Sequence, residues 1–173
     1  MKQGDIWVSA VLYIGIGIVA ITFILGAAIP LIEGLKDKNT VTDTKNLMYV
    51  LDKNIREVAN EGPGSQRELN PFRITKGNFY IDDEDSDDLN WSLKTKAFIV
   101  ENDATVKEGF IDISSQATNI EDENMASLGV HYEKMDITLE SDMKNPFLGT
   151  YSILVKNTGE YNQGKLIVAV YIK

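Results

Sequence analysis

Few residues in this chain are of types that do chemistry, and their spacing narrows what they can do. There is one histidine, His131, and no cysteine among the 173 residues. The missing thiols exclude cysteine nucleophiles, iron–sulfur clusters, thiolate zinc sites and disulfides. A single imidazole cannot build a multi-histidine metal centre. His131 lies in a strand-like stretch with no Ser/His/Asp arrangement around it, so it reads as a structural or surface residue. Carboxylates are plentiful but scattered over polar faces, without a base, a nucleophile or a phosphate-binding glycine loop to pair with them. The chain therefore does not read as an enzyme, and nothing in it requires a cofactor. The strongest charge run, Asp82-Asp83-Glu84-Asp85-Ser86-Asp87-Asp88, offers hard oxygen ligands for Ca²⁺. An EF-hand loop needs Gly at its sixth position and a bidentate acid at its twelfth. Counted from Asp83, those places hold Asp88 and Lys94, so the run reads as a solvated loop and no metal site is expected. One further chemical handle remains. Asn90-Trp91-Ser92 is the single N-glycosylation sequon, and strand alternation points Asn90 outward.

The charge balance removes another class of function. Lys and Arg number 17 against 26 Asp and Glu, giving a net charge of −9. No basic cluster stands out, so there is no electrostatic footprint for a nucleic-acid partner. The acidic excess suits a surface-exposed domain kept soluble by self-repulsion.

The elements that must carry these residues fall into two kinds. From Ile6 to Ile32 the chain runs for 27 residues without Asp, Glu, Lys, Arg or His. A bilayer core of roughly 30 Å takes about 20 apolar residues in a helix, so this run can span a membrane. A secretory signal has an apolar region of only about 7–15 residues, too short to match. Lys2 and the N-terminal amine precede the run and Glu33 follows it, which points to a cytoplasmic N-terminus with the remaining ~140 residues outside. The helical pattern continues past the membrane length. Leu47, Leu51, Ile55 and Val58 recur at steps of four, four and three, with Met48 widening the stripe. Asp52 with Arg56 and Lys53 with Glu57 form i,i+4 pairs assigned to the polar side. Pro30 is expected to kink this helix, and Asn39–Thr44 to fray. Gly62-Pro63-Gly64 ends it. A helix from Ile6 to Asn60 would be roughly 80 Å long, so half of it must pack on something other than lipid.

After Gly64 the period changes to two. Leu89, Trp91 and Leu93 alternate with Asn90 and Ser92, the signal of a half-buried strand. Phe72-Arg73-Ile74 and Phe79-Tyr80-Ile81 flank Lys76-Gly77 and read as a hairpin. Further strands are predicted at Ala97–Val100, Phe110–Ser114, Val130–Tyr132, Met135–Glu140, Thr150–Lys156 and Lys165–Ile172, with a turn-rich connector between the last two. The fold class is α+β: a long N-terminal helix kinked near Pro30, over residues 5–62, then an antiparallel β-sandwich-like domain over 65–173. The stripe Leu47, Leu51, Ile55, Val58 is expected to cover one side of that domain.

The start Met-Lys-Gln-Gly-Asp-Ile-Trp-Val-Ser-Ala-Val-Leu-Tyr resembles archaeal type IV pilins and pilin-like proteins with a short (class III) signal peptide. In that class a leader of a few residues, containing Lys or Arg and ending in Gly, precedes the apolar helix. Lys2 and Gly4 match. The resemblance is strongest from Met1 to Gly64, and in the C-terminal half it is one of architecture. Ser9 stands where bacterial members carry Glu, as in archaeal members that lack it. The resemblance implies a leader over residues 1–4, cut by a prepilin peptidase between Gly4 and Asp5. It further implies membrane storage before assembly, then polymerisation by pilus machinery into a surface filament for adhesion or cell contact. The partner would be a second copy of the chain. Gly15, Gly17, Ala20 and Gly26 would let helices approach closely in the filament core, with Trp7, Tyr13 and Phe23 filling gaps and Pro30 at the kink. Two alternatives stay open: a membrane-anchored binding module or minor subunit that never polymerises, and an archaellin of a motility filament.

Overall fold

The computed structural model describes residues 3–81, 88–120 and 123–173, with side chains described from Trp7 onward. Met1 and Lys2 of the expected leader, and Asp82 to Asp87 of the acidic run, lie outside the described residues.

The first element is a single helix, α1 (Gln3–Glu61), with Pro30 inside it. At 1.5 Å per residue it is about 90 Å long. Proline has no N–H to give to the carbonyl of residue 26 and crowds it, yet helix is assigned on both sides of Pro30. The expected fraying over Asn39–Thr44 does not occur. The Thr40 and Thr42 hydroxyls bond back to the Lys36 and Lys38 carbonyls at 3.0 Å within the helix, and Val41 and Thr44 are buried. Tertiary contact therefore outweighs the weak helix propensity of the segment.

Eight strands follow: β1 (Gln66–Ile81), β2 (Asp88–Thr95), β3 (Thr105–Glu108), β4 (Ile111–Ala117), β5 (Asn124–His131), β6 (Met135–Glu140), β7 (Phe147–Asn162) and β8 (Lys165–Ile172). They form one sheet in the order β3-β4-β5-β2-β1-β7-β8-β6. All neighbours are antiparallel except β6 and β8, which run parallel. The sandwich-like domain is thus realised as one sheet whose second layer is the helix. β1 and β6 also touch although β7 and β8 lie between them in the sheet, so the sheet curls. Its concave side holds one core, in which Met48, Leu51, Ile55 and Val58 of α1 meet Phe72, Phe79, Trp91, Val155 and Val170.

Three sequence expectations need correcting. The two halves flanking Lys76-Gly77 do not pair with each other as a hairpin. Ile74 pairs with Gly149 and Phe79 with Phe147, both on β7, so residues 75–78 bulge out opposite one residue of β7. Gly77 sits at φ +83°, and a Cβ there would come within 2.6 Å of the Trp91 indole and the Ser92 carbonyl. Only glycine fits that bend. Secondly, Ala97–Val100 is not a strand, because the Ala97 N–H goes to Thr95 Oγ1 at 2.9 Å rather than to a neighbouring strand. Thirdly, most of the supposed connector from Asn157 onward is strand, and the turn between β7 and β8 shrinks to Gln163-Gly164. The short strand β3, exposed along its whole length, gave no period-2 signal.

Candidate assembly surface and its anchorage

The helix is divided by what covers it. From Trp7 to Leu35 the large apolar side chains stand open, and Trp7, Tyr13 and Phe23 are each about three-quarters exposed. The apolar stretch has a mean hydropathy of 2.5 with none of it buried. It is long and apolar enough to cross a membrane. A Cβ added at Gly15, Gly17 or Gly26 would meet nothing within 4 Å, so the backbone is accessible there. Ala20 and Pro30 are also exposed. All the described residues that the sequence assigned to assembly therefore lie on one uncovered rod. Gly4 and Asp5 belong to the same helix, but their side chains are outside the description.

The upper half is fastened at three levels. Nearest the rod, Asp37 is buried and accepts from Lys76 Nζ at 2.5 Å and from Thr95 Oγ1 at 2.6 Å. The bulge at Gly77 thus has a purpose: it brings Lys76 to the helix. At mid-height Lys45 reaches Glu108 at 2.8 Å, and the Tyr49 hydroxyl donates to the Glu108 carbonyl at 2.5 Å. The end of β3 is gripped by these two. At the top, Asn157 is buried and its Nδ2 donates to the carbonyls of Val58 at 3.1 Å and Ala59 at 3.3 Å. Ser65 Oγ adds a bond to Val58 O at 2.7 Å. These donors satisfy carbonyls that the last turn of a helix leaves unpaired.

Leu51, Ile55 and Val58 are buried as the stripe predicts, while Leu47 is only partly covered and Met48 takes the inner place. The sequence reading started the stripe too late. Asp37, Val41, Thr44, Met48, Leu51 and Ile55 continue the same three-and-four spacing, but two polar members hid it. The periodicity is visible once polar residues with partners are allowed on the inner face.

The Asp52–Arg56 pair forms, with Arg56 Nε donating to the two carboxylate oxygens at 2.8 and 3.0 Å. It does not lie on the polar side as the spacing suggested, because Asp52 is buried. Burial of a carboxylate is tolerated only with such a partner. The Lys53–Glu57 pair is exposed at 3.8 Å. Beside Asp52 sits Tyr132, almost wholly buried, whose hydroxyl makes no hydrogen bond among the described residues. Burial first, and the Asp52 carboxylate second, push its hydroxyl far above the usual tyrosine range. It stays neutral.

Asn90 lies on β2 between Tyr80 of β1 and Gly129 of β5. It is half-buried and alternates with the fully buried Trp91, so it faces away from the core as expected. His131 is on the rim, paired through Nδ1 with Asp88 Oδ1. Among the described residues no group of three His, Asp or Glu side chains is placed to hold a metal ion. Set against known protein families, curated proteins and solved structures, the chain finds no match in any of the three comparisons.

Proposed function

We propose that this chain is the structural subunit of an archaeal type IV pilus-like filament, its helices forming the core and its β domains the outer surface, serving adhesion or cell contact. One observation carries the reading. The rod from Trp7 to Leu35 exposes almost every large apolar side chain it has, while the other half of the same helix is locked onto a folded domain. Lipid can cover such a rod before assembly. Outside lipid, only equally apolar surface can replace it, and copies of the rod supply that surface with glycines positioned for close approach. A repeated contact between unlike faces of identical subunits does not close, and so grows a helical polymer.

In this reading the helix is inserted in the cytoplasmic membrane before assembly, with its N-terminus on the cytoplasmic side. A prepilin peptidase cuts between Gly4 and Asp5, and the pilus machinery extracts the helix. The test is electron microscopy of sheared cell-surface material, combined with mass spectrometry of the subunit's N-terminus. Fibres containing the chain, beginning at Asp5, are expected. A chain that remains in the membrane fraction, with no fibres containing it, sinks the proposal in favour of an anchored binding module. Loss of swimming on deletion would reassign the filament to motility.

A further inference from the structure

Away from the rod, the head domain carries a groove of about 420 Å³ lined by Arg56, Lys107, Phe110, Asp112, Tyr132, Lys134 and their neighbours. Its volume falls within the ~300–1,000 Å³ range of small-ligand sites. The groove is built around Arg56. Both oxygens of the buried Asp52 hold its Nε, and its guanidinium lies 4.1 Å from the Phe110 ring centroid and 5.3 Å from that of Tyr132. A guanidinium has five N–H donors. Among the described residues only Nε has partners, so the Nη edge is fixed in direction and open.

Phe110 is more than half exposed although its ring is backed by that cation. A large apolar ring at a surface, backed by a cation and more than half exposed, is a stacking platform. Around it stand further donors, Lys107 and Lys134, and acceptors, Asp112 and Glu133. Lys107 and Asp112 are 3.8 Å apart and partly neutralise each other. In the floor stands Tyr132, buried beside the Asp52 carboxylate.

We infer that this groove binds a neutral saccharide, one ring stacked on Phe110 and its hydroxyls bonded to Arg56 and the surrounding charged groups. The chemistry selects that class. A pyranose presents an apolar C–H face beside an edge of hydroxyls that both donate and accept, which an aromatic ring beside mixed donors and acceptors complements. A strongly anionic ligand is disfavoured, because Asp52, Asp112 and Glu133 offset Arg56, Lys107 and Lys134 and the chain is acidic as a whole. An apolar ligand would leave the polar rim unpaired. The inference goes beyond the assembly reading and stands whether or not the chain polymerises.

Affinity electrophoresis of the full chain in detergent micelles tests it, with mannan, dextran or galactan cast into the gel and polygalacturonate as the acidic comparison. At least one neutral polysaccharide should retard the protein. Phe110→Ala should weaken that retardation at least tenfold in apparent Kd, and Phe110→Trp should retain it. Leu148→Ala, an exposed apolar change elsewhere on the sheet, should leave it unchanged. Phe110 is exposed, so its variants should keep the wild-type melting temperature, which is measured alongside. No retardation by any neutral polysaccharide, equal retardation of Phe110→Ala, or retardation by polygalacturonate alone overturns the inference.

Discussion

The two halves of the long helix share a backbone conformation and differ in what surrounds them. From Trp7 to Leu35 the side chains are apolar all round and nothing in the chain covers them. From Asp37 to Val58 one face is buried, and it mixes apolar residues with polar ones: Asp37, Thr44 and Asp52 among Val41, Met48, Leu51, Ile55 and Val58. A helix that is hydrophobic on every side needs a surrounding of the same kind, whereas an amphipathic one needs a single partner surface. The lower half therefore suits apolar surroundings on every side, and the upper half a single sheet. Buried polar groups occur only in the upper half, where Asp37 is met by Lys76 of β1 and Thr95 of β2 and Asp52 by Arg56 of the helix itself.

That contrast can be broken from either side. The largest effect should come from Gly17→Leu in the rod, which fills the open space that close helix approach requires. Fibres should disappear from sheared material while the head domain's denaturation midpoint in detergent stays at the wild-type value; unchanged fibres would remove Gly17 from the contact. In the covered half, Ile55→Ala should cost about 2–5 kcal/mol of unfolding free energy, as other core truncations do, measured by chemical denaturation. Asp37→Ala comes next. It leaves the buried Thr95 hydroxyl without its acceptor and releases Lys76, for about 1–3 kcal/mol. A neutral result would mean that water replaces the carboxylate. Smallest is Lys53→Ala, whose exposed pair with Glu57 should change stability by less than about 0.5 kcal/mol.

A pH experiment sharpens the same comparison, because tyrosine occurs in both halves' surroundings but Tyr132 is the one that lies buried in the core. Its folded-state pKa is raised above the unfolded value near 10. The unfolded chain thus loses this proton first. The contribution of neutral Tyr132 is intact below about pH 10 and declines as pH climbs above it. Tyr132→Phe should flatten the alkaline fall in stability relative to wild type, and at neutral pH it should be close to neutral, since it deletes an unpaired hydroxyl. An alkaline slope identical in the two proteins would show that Tyr132 reaches solvent.

Much of the architecture was legible in the residues. The uncharged run from Ile6 to Ile32, the stop at Gly62-Pro63-Gly64, and the alternation through Leu89, Trp91 and Leu93 each rest on a local period, and each appears in the structure. The reading failed where a local pattern had two tertiary solutions. Lys76-Gly77 looked like a hairpin turn, and the glycine is indeed at a bend, but both flanks pair with β7 and not with each other. The groove around Arg56 left no sequence signal, because Arg56, Phe110 and Tyr132 come from α1, the β3–β4 turn and the residue just after β5.

The sequence by itself determined that one stretch of chain avoids water and that the rest folds as a half-buried β domain, since hydrophobicity and its period are properties of neighbours along the chain. It also placed the glycines and aromatics on the rod. Only the tertiary structure decided that the helix stays intact over Asn39–Thr44, that Asp37 and Asp52 belong inside, and that the strands form a single curled sheet. The inward place of Asp37 depends on partners 39 and 58 residues away, Lys76 and Thr95. A buried carboxylate is unfavourable until such partners arrive, so the same residues that a local reading assigns to the surface become the fastening between the two halves of the molecule.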